Sequence, residues 1–573
     1  MPCADGKAAV TSPKRYLVIS DFNIEPFADY LRRGTNSSSC EVVVGPFGQV
    51  APMLLEISAA TSDRTYDAVM VWTQPEAVIP GYAALLRYEA VSESEIVSEV
   101  SQFAGLIVNA AQRSKHVFVA SWSQPHFRRA LGVCGMRPEG SVRMLMKMNL
   151  ELCDFLSRQS NVYVFNSTSW VAPAGSKAYN AKLWYLAKTP FALEVFEAAA
   201  KDFKAAMAAI EGRGRKLIVV DLDDTLWGGI VGEVGWENLR IGGHDPIGEA
   251  FADFQKALKA LSQTGIVLAI ASKNDEAVAL EAIDKHPEMV LRRSDFTAWR
   301  INWLDKAENI ADIASSLNLD LSSIVYIDDS PAERSRVRAA HPAVAVPDWP
   351  ADAFLYASYL TELSYFDKVA ITTEDRQRTS MYLADVKRTE TKHSFQSIED
   401  WLQSLGMEVE IEQLSRANLG RATQLFNKTN QMNLSTRRLG EEELWKWSIT
   451  GENQLYVFRV CDKFGDYGLT GILGLSLQNG AMKITDYLLS CRVMGRGVEQ
   501  LMLGFAINHA RNAAMTEITA EYLPTAKNAP CLSFFRNTSR LEHEGENRFV
   551  WRITNEYPWP AHISVIRSHA KGK

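Results

Sequence analysis

Three short apolar runs constrain this chain more than anything else in it, because each ends abruptly in groups that resist burial. "KLIVVDLDD" runs from Lys216 to Asp224, "VLAIASKND" from Val267 to Asp275, and "IVYIDDSPAER" from Ile324 to Arg334. Runs of Val, Ile, Leu and Ala this short, bounded by polar residues and separated by helical patterns at 247–263, 276–284 and 306–317, read as strands buried on both faces of a parallel sheet. In an open α/β sheet the carboxyl ends of the strands share one edge, and ligands bind there. That edge would gather Asp221, Asp223, Ser272, Asp328 and Asp329. Lys306, in "WLDKAENI", opens a helix beside it.

Carboxylates that terminate a buried strand need a partner. Mg²⁺ is a hard cation that prefers oxygen ligands, one or two carboxylates with waters and phosphate oxygens. A bound ion offsets the mutual repulsion of the carboxylates. One carboxylate can then attack phosphorus, while a lysine and a hydroxyl balance charge on the phosphoryl oxygens.

The flanking segments differ. Before residue 212, "RYLVISDF", "EVVVGPFG", "YDAVMVWT", "HVFVASW" and "NVYVFNS" alternate with helical stretches at 95–111, 145–157 and 191–210, which implies a second parallel α/β sheet. Beyond residue 370 a polar helix, capped by Thr373 and running to about 387, precedes "GMEVEIEQL", "QLYVFRVCDKFG", "LTGILGLSLQNG", "MKITDYLLS" and "EITAEYL". These read as antiparallel strands, with helices at 418–429 and 497–514. A chain of 573 residues accommodates three domains. We place them at 1–212 (α/β), 213–370 (α/β) and 371–573 (α+β).

With a net charge of −7, a general nucleic-acid partner is not expected. Seven scattered cysteines without a CxxC pair argue against a disulfide framework or a zinc site. No apolar signal core precedes a cleavage site, and no run approaches the ~18 apolar residues of a membrane span. The expectation is a soluble, cytoplasmic protein with no membrane partner.

Asp221-Leu-Asp223-Asp-Thr225, Ser272, Lys306 and Asp328-Asp329, in that order, resemble the four motifs of the haloacid-dehalogenase (HAD)-like phosphohydrolases. The resemblance implies a Rossmannoid domain. Asp221 would be the nucleophile and Asp223 the general acid/base, with Ser272 and Lys306 on the phosphoryl group. Mg²⁺ would lie among Asp221, Asp223 (through its backbone carbonyl), Asp328 and Asp329. Asp224 and Asp275 are read as exposed or structural. The 226–246 segment is too short for a large cap. Its "LWGG" glycines either admit a ligand to the backbone or make a hairpin turn, and Trp227 is read as packing.

In the third domain, "ITDYLLSCRVMGRGVEQLMLGFAINHA" places Arg492, Gly495, Arg496 and Gly497 between a strand and a helix. The spacing is similar to the [QR]xxGx[GA] loop of GNAT-type acyltransferases. This implies a phosphopantetheine arm, or coenzyme A, bound through backbone amides at a helix N-terminus, with Asn528 at a later bend. Cys491 and Cys531 adjoin these elements, either as activated thiols or as small buried hydrophobes. "NKTNQMNLSTRR", residues 427–438, either lines a channel or is a polar loop.

Taken together, "SDFNIEPF", "KLWYLAKTP", "DLDDTLWGGIVGE", "LSYFDKVAITTEDRQRTSMY", "LFNKTNQMNLSTRR" and "LSCRVMGRGVE" resemble the FkbH-like family (HAD-IIIC phosphatases). This implies dephosphorylation of 1,3-bisphosphoglycerate or a similar small phosphorylated acyl substrate. The acyl group would be loaded on an acyl carrier protein for polyketide or related natural-product assembly. The chain departs from the glyceryl-transferring pattern, since Leu222 and Asp224 fill positions where a thioester-forming cysteine is expected. The first domain resembles SGNH hydrolases of flavodoxin-type fold. "ISDFN" replaces their Gly-Asp-Ser start, "NAKLWYL" stands in place of Asp-x-x-His, and neither His116 nor His126 suggests a triad, so a non-catalytic role is expected. Three functions therefore compete: an Mg²⁺-dependent acyl-phosphate enzyme delivering to a carrier, a phosphatase of a tethered or free phosphate ester whose third domain only docks, and a non-enzymatic scaffold.

Overall fold

The computed structural model describes residues 13–33, 40–59, 66–124, 132–371, 375, 378–392, 395, 397–429, 431–478, 480–525, 527–553 and 556–567. Thr373, His126 and Cys3 lie outside these residues. The chain forms two compact units, Met1–Met207 and Ala208–Lys573.

The first unit holds a five-stranded sheet of β1 (Lys14–Ser20), β2 (Cys40–Val44), β3 (Ala68–Trp72), β4 (Val117–Ala120) and β5 (Val162–Phe165), in the order β2-β1-β3-β4-β5. Every neighbouring pair is parallel, the flavodoxin-type order. The helix Glu93–Ala111 covers one face, because Ile96, Val100, Phe103, Ile107 and Ala110 recur at helical spacing and are buried. Ser92 caps it by accepting from the Glu95 amide at 3.2 Å. Aromatic rings fill the other face, where Trp72 packs on Phe27, Phe191 and Phe196. The closing helix is Leu193–Ile210, two residues shorter than its sequence pattern.

In the second unit, β6 (Leu217–Val220), β7 (Val267–Ser272), β8 (Phe296–Ile301) and β9 (Ile324–Ile327) form a parallel sheet in the order β8-β7-β6-β9. β8 is a strand that the sequence pattern did not reveal. It lies at the sheet edge, and its last residues include the half-buried Trp299 and Arg300, so "FTAWRI" lacks a continuous apolar signature. The helices Pro246–Gln263, Glu276–Lys285 and Lys306–Ser316 begin at aspartate caps, Asp245, Asp275 and Asp305.

The remaining sheet has nine strands and is largely antiparallel. It comprises β10 (Met407–Gln413), β11 (Met432–Asn433), β12 (Asn453–Asp462), β13 (Gly465–Gln478), β14 (Ala481–Leu489), β15 (Glu517–Glu521), β16 (Glu542–His543), β17 (Arg548–Arg552) and β18 (Ile563–Arg567). β14 and β15 pair in parallel over Met482–Ile484 only, joined by the crossover helix Val498–Asn512. Beyond that pairing, the two-residue β11 lies antiparallel against the end of β14. The helix Arg378–Lys392 links the two sheets. Tyr382 packs against the Leu217–Val267 core, and Arg388 makes a two-pronged ion pair with Asp462 at 2.7 Å on each arm. Among the described residues, no helix is long and apolar enough to cross a membrane.

Candidate active site and metal centre

The central strands deliver their polar ends to one edge, as the sheet order requires. Asp221 follows β6 directly, Ser272 ends β7, Asp328 and Asp329 follow β9, and Lys306 starts the helix after β8. Asp221 is 7 % exposed, Asp328 0 %, Ser272 2 % and Lys306 3 %. The Lys306 ammonium lies 2.9 Å from Asp221 Oδ2 and 2.6 Å from Asp328 Oδ2. Burial by itself disfavours the ammonium, but the two carboxylates outweigh it and hold its pKa above the ordinary value.

One ammonium does not balance three carboxylates. Oxygens of Asp221, Asp328 and Asp329 lie within 4.8 Å of one another. Burial pushes the Asp221 carboxyl up to about 7, with Lys306 opposing the rise and Asp328 adding to it. The Ser272 hydroxyl faces the same carboxylate and stabilises its charge. Burial, followed by the charge of Asp328, also raises Asp329. Asp221 Oδ1 is buried and meets no protein donor. A buried acceptor without a donor, inside a cluster of net negative charge, is the arrangement that a divalent cation completes. These residues fit Mg²⁺.

A supporting layer holds the carboxylates in place. Tyr326 donates its hydroxyl to Asp328 Oδ2, and the Ser330 amide donates to Oδ1 at 2.8 Å. Thr225 donates to Asp329 Oδ1 and accepts from the Asp329 amide, both at 3.0 Å. Arg334 ties down the carbonyls of Asp328 and Asp329 at 2.7 and 2.6 Å. Tyr326, Asn274 and Arg334 were not singled out from sequence. Only the polarity of Tyr326 within an otherwise apolar strand could have marked it.

Asp223 stands apart from the carboxylate cluster. Its Oδ1 accepts from Trp227 Nε1 at 2.9 Å and the Val231 amide at 3.0 Å, and its Oδ2 accepts from Asn274 Nδ2 at 2.7 Å. The side chain thus anchors the hairpin that follows the motif. The fully buried Trp227 both packs and donates. Asp224 adopts φ 51° and accepts from the Gly229 amide at 2.7 Å, which gives it a turn role. Leu222 is fully buried.

The glycine loop of the C-terminal sheet is also built, but its groups already have partners. The Gly495 amide donates to Glu499 Oε1 at 2.7 Å. Arg496 stacks over Tyr467, donates to its hydroxyl and pairs with Asp385 at 3.3 Å. Arg492 reaches Ser490 Oγ at 3.3 Å and Met381 Sδ at 2.9 Å. Gly497 has φ 89°, and a Cβ there would lie 2.9 Å from the His562 ring. Asn528 is fully buried. It accepts from the Tyr522 hydroxyl and the Thr525 amide at 2.7 Å each, and donates to the Asn433 and Leu523 carbonyls at 2.9 and 2.8 Å. All its hydrogen-bonding capacity is used internally. Cys531 is buried, and burial pushes its thiol up to about 12, so it packs as a small hydrophobe. Cys491 is exposed.

In the first unit, Asp21 sits just after β1 and accepts from the Gln74 amide at 2.8 Å. Burial, reinforced by the charge of Glu76, pushes it up to about 7 against the hydrogen bond from Gln74. The next residue, Phe22, is a buried ring. His116 precedes β4, at the opposite end of the sheet from Asp21.

No protein-family model matches the chain. No curated protein matches it. Among solved structures, the N-terminal part of the protein BF1531 from Bacteroides fragilis, which contains a phosphatase domain and was crystallised with Mg, aligns with a TM-score of 0.56 and 26% identity. The alignment covers 62% of this chain and 95% of that chain. A GNAT-family acetyltransferase from Staphylococcus aureus aligns over 25% of this chain and 99% of its own, with 10% identity and a TM-score of 0.20. A spermidine N-acetyltransferase from Vibrio cholerae aligns over 25% of this chain and 94% of its own, with 14% identity and a TM-score of 0.21. The fold is thus α/β and multidomain, and it includes a region similar to a phosphatase-domain protein.

Proposed function

We propose that the chain is an Mg²⁺-dependent phosphatase of the FkbH-like type that acts on a small phosphorylated acyl substrate and passes the acyl group to an acyl carrier protein. The observation that carries the first half is the unpartnered Asp221 Oδ1 within the buried cluster of Asp221, Asp328, Asp329 and Lys306. Asp221, Asp328 and Asp329 would hold the ion, together with the backbone carbonyl of Asp223. When bound, Mg²⁺ neutralises charge on the carboxylates and on the phosphoryl oxygens.

The chain's own groups do the rest. Asp221 attacks phosphorus from a rigid strand end and the bond from phosphorus to the leaving oxygen breaks; water then attacks the phosphorus of the aspartyl phosphate, which releases inorganic phosphate and restores the Asp221 carboxylate. Lys306 and Ser272 hold the phosphoryl oxygens. Asp223 supplies the proton to a departing alkoxide once substrate releases it from the hairpin. An acyl phosphate needs a second step: the carrier thiolate attacks the carbonyl carbon and the acyl-bound phosphate leaves, while the Asp221 chemistry removes the remaining phosphate ester, so that 1,3-bisphosphoglycerate yields a glyceryl and not a phosphoglyceryl thioester. Since Leu222 and Asp224 cannot form a thioester, the acyl group passes directly to the carrier thiol in this reading. The first unit is non-catalytic, consistent with the buried Phe22 beside Asp21 and with His116 at the far end of its sheet.

A second reading keeps the phosphatase and makes the C-terminal domain a docking module only. It is favoured by the internal saturation of Asn528. Intact-protein mass spectrometry separates the two. A phosphopantetheinylated carrier is incubated with the protein, Mg²⁺ and 1,3-bisphosphoglycerate, with Asp221→Asn as control. A glyceryl mass gain on the carrier supports transfer. Phosphate release without that gain supports the docking reading, and full phosphate release by Asp221→Asn refutes the central assignment.

A further inference from the structure

The helix Val498–Asn512 begins at a two-glycine loop, and backbone amides presented by such a loop form the kind of positive pocket that takes a phosphate. In this chain the pocket contains a group of its own. Glu499, in the first turn, folds back so that Oε1 accepts from the Gly495 amide at 2.7 Å, and the Gly497 and Glu499 amides also stabilise its charge. The residue is 7 % exposed, and Oε2 is buried without a partner. A carboxylate therefore sits where an incoming anion would have to sit, with one oxygen still lacking a donor.

Two further features close the neighbouring cleft. Where β14 and β15 diverge, an extended ligand could add its backbone-like amides to the sheet. The residues 432–434 fill that gap instead. β11 pairs with Leu488 and Leu489 of β14. The Leu434 amide donates to Tyr487 O at 3.1 Å, and its carbonyl accepts from the Leu523 amide at 3.0 Å. Asn528 fixes the same segment through the Asn433 carbonyl at 2.9 Å.

We infer that Glu499 is a specificity-determining residue that excludes coenzyme A, and other donors anchored by a pyrophosphate, from the C-terminal domain. A pantetheine chain delivered by a protein keeps its single phosphodiester at that protein's surface and asks nothing of the loop amides. The inference rests on the carrier-loading reading, to which it adds the choice between free and protein-borne thiols.

The test is calorimetric titration of coenzyme A into the full chain and its Glu499→Gln and Glu499→Ala variants, without carrier or phosphorylated substrate. Far-UV circular dichroism and a melting curve check that each variant is folded. Glu499→Gln keeps the bulk and removes the charge, and Glu499→Ala removes both. The expected result is at least about fivefold tighter binding by Glu499→Ala than by the wild type, the factor that corresponds to the roughly 1 kcal/mol that one like charge at contact distance costs even in water. Glu499→Gln should fall between them. Wild-type affinity equal to that of Glu499→Ala overturns the inference, and so does a failure of all three proteins to bind. Because no carrier is present, a positive result stands even if the acylation experiment fails.

Discussion

Asp221→Asn should make the metal-free protein more stable while abolishing phosphate turnover. Burial and Asp328 push the Asp221 carboxyl from the ordinary 3.8 to about 7. A folded-state value above the unfolded one means that the native state holds the proton more tightly. Stability associated with this group is fully present below about pH 4 and is lost as pH rises through about 7. A displacement of roughly 3 in pKa, at about 1.4 kcal/mol each, sets a ceiling of about 4 kcal/mol. That value already includes the attraction of Lys306, and an amide matches the carboxyl site imperfectly, so a net gain of about 1–3 kcal/mol is expected at pH 8. At about 1.3 °C per kcal/mol for a unit as large as Ala208–Lys573, its transition should rise by roughly 1–4 °C. At pH 5 the wild-type carboxyl is already protonated, and the difference should nearly vanish. In EDTA the two proteins are compared by differential scanning calorimetry at both pH values, and then again with excess Mg²⁺. Mg²⁺ should stabilise the wild type by mass action and the variant much less. A variant that melts below the wild type at pH 8, or a difference equal at pH 5 and pH 8, would refute the reasoning.

Lys306→Met removes the ammonium from a buried carboxylate cluster and should cost about 3–5 kcal/mol in EDTA. Part of that loss should return with Mg²⁺ in a urea titration. Asn528→Ala deletes four internal hydrogen bonds. It should destabilise the same unit by about 3 kcal/mol or more, read as a lower urea midpoint. In the first unit Asp21 rises to about 7, so wild-type stability should fall between about pH 4 and pH 7. Asp21→Asn should flatten that profile by about 2 kcal/mol, as followed by calorimetry of the Met1–Met207 transition.

The ends of the central strands were legible because polarity changes within one residue while burial does not, as from Val220 to Asp221 and from Ile327 to Asp328. Lys306 was legible because Asp305 caps the helix it opens. Groups whose role comes from packing were not. Tyr326 reads as an ordinary strand residue until its hydroxyl is seen on Asp328. Thr225 belongs to a recognisable motif, but its grip on Asp329 spans 104 positions in sequence. Glu499 reads as a favourable charge in a first helical turn, and only geometry puts its carboxylate on the loop amides. Segment 432–434 carries no strand pattern at all, because its conformation is imposed by β14 on one side and Leu523 on the other. β8 was hidden by its edge position, where Trp299 and Arg300 are only half-buried and interrupt the apolar run.

The helix Arg378–Lys392 has a consequence for how this protein could be recombined. At its leading end, Gly265 has φ 90°, and a Cβ there would lie 2.5 Å from Asp375 O. Arg378 donates to the Gly265 carbonyl at 3.1 Å, and Tyr382 enters the central core. One turn and a half later, Arg388 is buried beneath the C-terminal sheet on Asp462 and Tyr467. The helix is therefore an internal wall with two tenants. A crossover made just before it would graft a foreign wall onto the phosphatase, and one made just after it would leave Asp462 without its guanidinium. Chimeras should tolerate exchange of the Met1–Met207 unit far better than exchange of the C-terminal sheet, and the latter should travel by descent as an inseparable pair with the domain that carries Asp221.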